Sequence, residues 1–157
     1  MLRPLKEIQI AMLFSKYTKY HKVFKSCNLG SKENEWNWCQ ECPKCLFVYI
    51  ILSPFLYKDE LIEIFKKDLY EDKKLLPTFI ELLGYAETKP FECVGTYEET
   101  RIAVSTLIKK LDKLPFLLEY YKNNYPLENK DITKYYNKNN NLDKKFNKIV
   151  KEAIKNV

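Results

Sequence analysis

A chain of 157 residues is long enough for one domain with a hydrophobic core. Its five cysteines are an odd number and no secretion signal opens the sequence, so a disulfide framework is disfavoured. The longest apolar run, Leu46 to Leu52, is far shorter than the roughly 20 residues that cross a bilayer. We therefore expect a cytoplasmic protein without a membrane span.

The net charge of +6 is unevenly distributed along the chain. Residues 1–108 carry 15 basic and 15 acidic side chains, whereas residues 109–157 carry 12 lysines against 6 acids. A nucleic-acid-binding protein would more usually interleave its basic residues with its cysteine motif. We interpret the basic tail first as a solvated surface and second as an anion-binding patch, and we do not expect nucleic acid as a partner.

The first helix is predicted over residues 4–18, because an early proline precedes apolar residues at helical spacing. Residues 20–24 are aromatic and β-branched, which indicates a strand or an extended lead into the first cysteine. His21 lies in this stretch and is the one histidine. We expect it at the surface or just outside a cysteine site, since four cysteines already complete a ligand set. Residues 28–37 have loop composition.

The most apolar helix is predicted over residues 44–53, which are apolar on every face, so it should be the central buried helix. Pro54 should end or kink it, because proline lacks the N–H that continues a helix. A second helix is predicted to about residue 67, with acids at its start. A third is predicted over residues 76–83, followed by Gly84 where a C-terminal cap favours glycine.

The remaining elements are also helical by their pattern. A stretch without periodicity, residues 88–96, precedes a long helix predicted over residues 97–111. Another helix is predicted from Pro115 to about Asn124. An Asn- and Lys-rich connection, expected to be mobile, and a last amphipathic helix follow. These elements predict a mainly α fold in two parts, residues 1–124 and residues 125–157.

Four cysteines form the clearest motif of the sequence: Cys27, Cys39, Cys42 and Cys45. Two-residue gaps between the last three bring their sulfurs to one side of a turn, and the fourth cysteine closes a tetrahedron. The spacing favours a structural zinc site with no open coordination position. An iron–sulfur cluster also accepts four thiolates, so it stays an alternative. Trp36 and Trp38 flank the motif and are expected to shield its sulfurs from water.

Three segments together resemble one enzyme family. They read Trp-Cys-Gln-Glu-Cys-Pro-Lys-Cys-Leu-Phe-Val over residues 38–48, Ser-Pro-Phe-Leu over residues 53–56, and Lys-Pro-Phe-Glu-Cys-Val-Gly over residues 89–95, followed by Glu98-Glu99. They resemble the bacterial ATP-dependent UDP-N-acetyl-α-D-muramoyl-L-alanyl-L-glutamate epimerases of peptidoglycan-precursor synthesis. The resemblance covers about residues 3–105. Residues 1–124 then look like the zinc-containing, helical C-terminal domain of such an enzyme.

The resemblance implies both an activity and a missing part. In such enzymes ATP adenylates the glutamate carboxylate, after which the α-proton is removed and returned on the other face. Their nucleotide is held by a Ser-Gly-Gly-x-Asp-Ser type loop on a parallel α/β sheet. This sequence has three glycines and no such loop. We therefore expect the nucleotide-binding half in a longer protein or in a separate polypeptide, and we expect this chain alone to be inactive.

Candidate chemical groups lie in and just after the Lys89–Gly95 loop. Cys93 stands outside the four-cysteine set and is a candidate acid–base group, as are Glu92 and Glu98. Lys89 and Arg101 are candidates to bind the substrate through phosphate or carboxylate groups. Each has a simpler interpretation: a small buried side chain for the cysteine, helix-start charges for the acids and solvated cations for the basic pair.

Two other functions remain open from the sequence. One is a part of another enzyme of the ATP-pyrophosphatase group, since 7-cyano-7-deazaguanine synthase is also loosely similar in its four-cysteine site. The other is a non-enzymatic zinc module that binds a partner or nucleic acid. A neighbouring reading frame with the missing nucleotide loop would favour an enzyme, whereas salt-dependent nucleic-acid binding would favour the module.

Overall fold

The computed structural model describes residues 2–30, 37–88, 90, 94–131 and 134–155. These residues form α-helices joined by short 3-10 turns, and no strand occurs among them. The prediction of a mainly α chain is therefore confirmed. In chain order the helices are α1 Glu7–Ser15, α2 Pro43–Leu52, α3 Lys58–Phe65, α4 Leu76–Leu83, α5 Tyr97–Ile108, α6 Phe116–Asn124 and α7 Lys144–Lys155.

Helix α2 is the centre of the fold, as its sequence predicted. Every residue from Cys45 to Leu52 is buried, none being more than 8% exposed. The helix packs against α1, α3, α4 and α5, so it has no solvent-facing side. Burying each large aliphatic side chain contributes about 1.5–3 kcal/mol. This burial fixes the position of the helix start, where two of the four cysteines lie.

Helix α5 begins at a capping box that also holds α1. The Thr96 hydroxyl accepts a hydrogen bond from the Glu99 N–H, and the Glu99 carboxylate accepts from the Thr96 N–H at 3.0 Å. The other oxygen of Glu99 accepts from the Ile8 N–H at 3.4 Å. Because Glu99 is only 3% exposed, these bonds are needed to satisfy a buried carboxylate. The start of α1 is thereby joined to the start of α5.

The segment between α1 and the first cysteine is helical rather than extended. Residues 18–20 form a 3-10 turn, and the Val23 and Phe24 N–H groups bond to the Tyr20 carbonyl oxygen. The prediction of a strand over residues 20–24 is therefore wrong, because local hydrogen bonds over three and four residues prevail over β-branched composition. Helix α1 is also shorter than predicted, ending at Ser15.

The connection after α6 packs on the helices at its start. Tyr125 stacks on Tyr85 with ring centroids 3.9 Å apart, and the Glu128 N–H donates to Ser105 Oγ at 2.9 Å. Further along, the Asn137 N–H donates to the Pro4 carbonyl oxygen, and Val150 of α7 is buried. These contacts cross the boundary drawn at residue 124, and the two-part division stays a prediction.

The described helices are short. The apolar run Leu46–Leu52 lies within α2, which has 10 residues, and the longest helices, α5 and α7, have 12. A membrane-spanning helix needs about 20 residues. Within the described ranges, therefore, no helix has the length and apolar character to cross a membrane.

Candidate metal centre and the adjoining loop

The Cys39–Cys45 turn is built by the start of α2. Pro43 occupies the first turn of the helix, where its missing N–H costs nothing. Cys42 caps the helix, and its sulfur accepts a hydrogen bond from the Cys45 N–H at 3.4 Å. Gln40 takes a left-handed conformation with φ of 66°, which folds the chain back between the cysteines. The motif therefore presents three sulfurs on one side of a helix start.

The four sulfurs lie together, as the spacing predicted. All of them are within 4.8 Å of one another. Three Sγ–Sγ separations are 3.8 Å for Cys27–Cys42, 3.6 Å for Cys39–Cys45 and 3.4 Å for Cys42–Cys45. Bonds of about 2.3 Å from one zinc ion at tetrahedral angles would place sulfurs about 3.8 Å apart. The set therefore fits one four-coordinate metal ion, and the space between the sulfurs is too small for a multi-iron cluster.

Backbone N–H groups point at the sulfurs and favour negative charge on them. Cys27 Sγ accepts from the Gly30 N–H at 3.2 Å and from the Cys39 N–H at 3.5 Å. Cys39 Sγ accepts from the Cys42 N–H at 3.4 Å. The positive end of the α2 dipole lies at the same place. Such donors stabilise the thiolates that a metal ion requires.

The thiols do not share their protons equally. The pKa of Cys42 is lowered to about 5, chiefly because the Cys45 thiol donates a hydrogen bond to its sulfur. The pKa of Cys39 is raised to about 11 by burial. The pKa of Cys45 is raised because it donates to Cys42 and because it is buried. A cation that binds here must release the remaining protons, so metal affinity falls as the pH falls.

Aromatic residues surround the cysteine cluster (Cys27, Cys39, Cys42 and Cys45). Trp38 is 4% exposed and lies between Phe24 and Phe65, with ring centroids 5.5 and 4.6 Å away. This burial fits the shielding role predicted for Trp38, whereas Trp36 lies outside the described residues. Cys27 and Cys45 are almost fully buried, at 1% and 0% exposure. Water therefore has little access to the sulfurs.

His21 is buried rather than at the surface. It is 6% exposed, its ring packs on Phe14, and its Nε2 lies 3.2 Å from the Phe14 carbonyl oxygen. The prediction of a surface position is wrong, because the 3-10 turn directs the side chain back onto α1. His21 is not among the residues whose ligand atoms cluster, which agrees with its expected place outside the metal set.

The candidate chemical loop is described only at its ends. Lys89, Glu92 and Cys93 lie outside the described residues. The end of the loop is close to α2, since a Cβ on Gly95 would come within 2.7 Å of the Phe47 ring. Only glycine allows this approach. The loop therefore returns to the chain beside the helix that carries the cysteine cluster.

Arg101 and Glu98, the other candidates, have protein partners. Arg101 Nε donates to Glu128 at 3.0 Å, and its NH1 group donates to the Leu83 carbonyl oxygen at 3.0 Å. Glu98 pairs with Lys6 and Lys130 at 3.0 and 2.8 Å. A guanidinium has five N–H donors and these bonds use two, so substrate binding by Arg101 stays a prediction.

The structure also brings together residues that the sequence analysis missed. Glu7 of α1 and Lys44 of α2 line a cavity that Val94, at the end of the candidate loop, also lines. Glu7 and Lys44 are far apart in the sequence and belong to no motif. Only the packing of α1 on α2 places them at one site, so no local signal identifies them.

Comparison with known proteins decides the family. The profile described as "MurL C-terminal domain" matches residues 23–131, more than half of the chain. The chain belongs to the MurL C-terminal domain family. The match includes all four cysteines, the Lys89–Gly95 loop and Arg101. The resemblance expected from the sequence is therefore confirmed, while Glu7 and α7 lie outside the matched range.

Curated relatives agree with this family. A UDP-N-acetyl-alpha-D-muramoyl-L-alanyl-L-glutamate epimerase of Micromonospora sp. is 41% identical over 112 residues, covering 70% of this chain and 25% of the relative. Proteins of the same name from Salinispora tropica and Xanthomonas oryzae pv. oryzae are 42% and 37% identical, covering 68% and 71% of this chain and 24% and 26% of theirs. The chain thus spans about a quarter of these relatives. No solved structure matches it significantly.

Proposed function

We propose that this chain supplies the C-terminal domain function of an ATP-dependent epimerase. The enzyme would convert the terminal L-glutamate of UDP-N-acetylmuramoyl-L-alanyl-L-glutamate to D-glutamate, for peptidoglycan precursors in the cytoplasm. The observation that carries the proposal is the family match over residues 23–131, together with relatives named for this reaction. The nucleotide-binding part would belong to the same enzyme or to a separate polypeptide.

The chemistry explains why ATP would be needed. Removing the α-proton from a glutamate carboxylate would produce a dianion, so the proton is only weakly acidic. Adenylation converts the carboxylate into a mixed anhydride and removes its charge. A protein group with a pKa near the working pH can then take the proton, and a second group can return one on the opposite face.

The cysteine cluster would bind a structural zinc ion through Cys27, Cys39, Cys42 and Cys45. Two observations support this: the sulfur separations fit one tetrahedral ion, and backbone N–H groups stabilise thiolates there. Four protein ligands leave no position for a substrate, so the ion would stabilise the fold without taking part in the reaction. By holding the start of α2, it would also hold Phe47, on which the end of the Lys89–Gly95 loop packs.

The loop would carry the reacting groups. In this proposal Glu92 and Cys93 exchange the α-proton, while Lys89 and Arg101 bind anionic groups of the substrate. The loop joins α4 to the capped start of α5, and loops on rigid helices are common sites of catalytic residues.

A chimeric enzyme tests the proposal. The matching segment of the Xanthomonas oryzae relative is replaced by this 157-residue chain, and D-glutamate formation and AMP release are measured with the UDP-linked dipeptide and ATP. We expect an active chimera, and Glu92→Gln or Cys93→Ala should slow α-proton exchange about 10²–10⁴-fold. Glu87→Gln, at an exposed position before the loop, is the matched control. A folded but inactive chimera would contradict the proposed function.

A further inference from the structure

A cavity of about 470 Å³ lies between α1 and α2, beside the end of the candidate loop. Its size is in the range of small-molecule sites. Aromatic side chains from three segments, Phe14, Phe24 and Phe47, form much of its wall, and Val94 closes one side. Such a wall excludes water from a bound group. Because the cavity adjoins both the loop and α2, it lies where a substrate of the loop would lie.

Two charged side chains of opposite sign face this cavity. Glu7 is the first residue of α1, and Lys44 is the second residue of α2. Within the described part of the chain, neither makes a hydrogen bond or a close ion pair, although each acts electrostatically on the other. Most acids here do have partners, as Glu98 does with its two lysines. An unpaired carboxyl and ammonium in one apolar cavity indicate a ligand that has polar groups of its own.

Glu7 has the environment of a proton-transfer group. Its pKa is raised, chiefly by burial and further by the neighbouring Glu99, while Lys44 acts in the opposite direction. Glu99 cannot easily take this part, because both of its oxygens accept hydrogen bonds in the capping box and from Ile8. Glu7 therefore is the carboxyl that is free to exchange a proton with a ligand.

We propose that the α1–α2 cavity binds the glutamyl end of the substrate, with Lys44 on a carboxylate and Glu7 moving a proton at the α-carbon. This inference rests on the proposed function. The α C–H bond breaks as an O–H bond forms on Glu7, and the electron pair passes into the activated acyl group. A loop acid on the opposite face then gives its proton to the carbon. Glu7 loses its proton to water, and the loop acid regains one, before the next turnover.

Binding is tested on the 157-residue chain by itself. The chain labelled with ¹⁵N is titrated with the dipeptide L-alanyl-L-glutamate while amide signals are followed. We expect shifts at Lys44, Val94 and the start of α1. Lys44→Met should weaken binding at least tenfold, whereas Glu7→Gln should bind as the wild type does. Binding of L-alaninamide in place of the dipeptide, or no shift at these positions, would overturn the site.

The role of Glu7 is tested in the active chimera. Glu7→Gln should slow α-proton exchange about 10²–10⁴-fold. Glu119→Gln is the matched control, since Glu119 is also in the first turn of a helix but is exposed. An active chimera whose exchange is unchanged by Glu7→Gln would overturn the inference and leave the proposed function standing. An inactive parent chimera would contradict the proposed function, while the dipeptide titration would still decide the binding site.

A stability measurement separates a lost proton-transfer group from a damaged fold. Because the charged form of Glu7 is disfavoured in the folded chain, Glu7→Gln should raise the melting temperature at pH 7. The difference should disappear below the pKa of an unfolded glutamate, where the wild-type side chain is protonated in both states. A melting temperature lowered at pH 7 would show that Glu7 supports the fold, and would overturn the proton-transfer role.

Discussion

Arg101 Nε donates a hydrogen bond to Glu128 Oε1 over 3.0 Å, and this ion pair joins α5 to the segment that follows α6. The same guanidinium donates to the Leu83 carbonyl oxygen at the end of α4. The two charged side chains are 24% and 27% exposed, so water screens them only in part. One side chain thus holds three segments together beside the candidate loop.

Removing this guanidinium should lower stability. Arg101→Ala should reduce the free energy of unfolding by about 1–3 kcal/mol, because hydrogen bonds to charged groups are lost and a partly buried carboxylate loses its partner. Urea denaturation measures the change. Glu128→Gln should cost less, and Lys113→Ala, at an exposed position, should change stability by less than about 0.5 kcal/mol. If Arg101→Ala unfolds at the wild-type urea concentration, the side chain is free for another task.

The cysteine cluster should bind one zinc ion per chain. Elemental analysis of purified protein is the measurement, since a closed tetrahedral site takes four protein ligands. Cys27→Ser should lose the metal and much of the folded structure, because the site closes between distant parts of the chain. Cys93→Ser should keep the metal. Equal loss of zinc from both variants, or stoichiometric iron in place of zinc, would contradict this assignment.

Two helix ends should respond in opposite directions to a change of glycine. Gly84 follows α4 with φ of 79°, and a Cβ there would lie 2.6 Å from the Tyr97 ring. Gly84→Ala should therefore cost at least about 1–2 kcal/mol. Lys66 follows α3 with φ of 63°, so Lys66→Gly should stabilise the protein by about 1 kcal/mol. Thermal unfolding of the two variants checks both signs, and destabilisation by Lys66→Gly would show that its side chain contributes more than its strained backbone costs.

Local signals explain which parts of the fold the sequence could predict. Helix α4 has the predicted bounds, because Pro77 and Gly84 mark its ends by backbone chemistry that needs no neighbour. The cysteine cluster was equally accessible, since Cys39, Cys42 and Cys45 are brought together by one turn. Helix α2 was recognised as central because a helix that is apolar on every face must be buried.

Tertiary contacts explain what the sequence could not give. His21 is buried by contact with Phe14, seven residues earlier, and nothing in its own segment indicates that contact. Glu7 and Lys44 face one cavity only because α1 packs on α2. The partners of Arg101 lie 18 and 27 residues away, so its place in an ion pair was not visible.

Acid should destabilise the protein in part through Glu98. Lys130 and Lys6 each contact this carboxylate, and they lower its pKa to about 2 from an ordinary value of 4.5. Between these values the unfolded chain binds a proton that the folded chain does not. The contribution of Glu98 is therefore complete above about pH 4.5 and is lost as the pH falls toward 2. It should be small, because a carboxylate that is 32% exposed is partly screened by water.

Glu98→Gln isolates this contribution. The melting temperature of the variant should lie below that of the wild type at pH 6, and the two should converge as the pH approaches 2. Adding salt at pH 6 should also bring them together, because salt screens exposed charges. Glu119→Gln, an exposed acid without a described ion pair, should follow the wild-type curve at every pH. A gap between Glu98→Gln and wild type that persists unchanged to pH 2 would mean that Glu98 acts through packing and not through its charge.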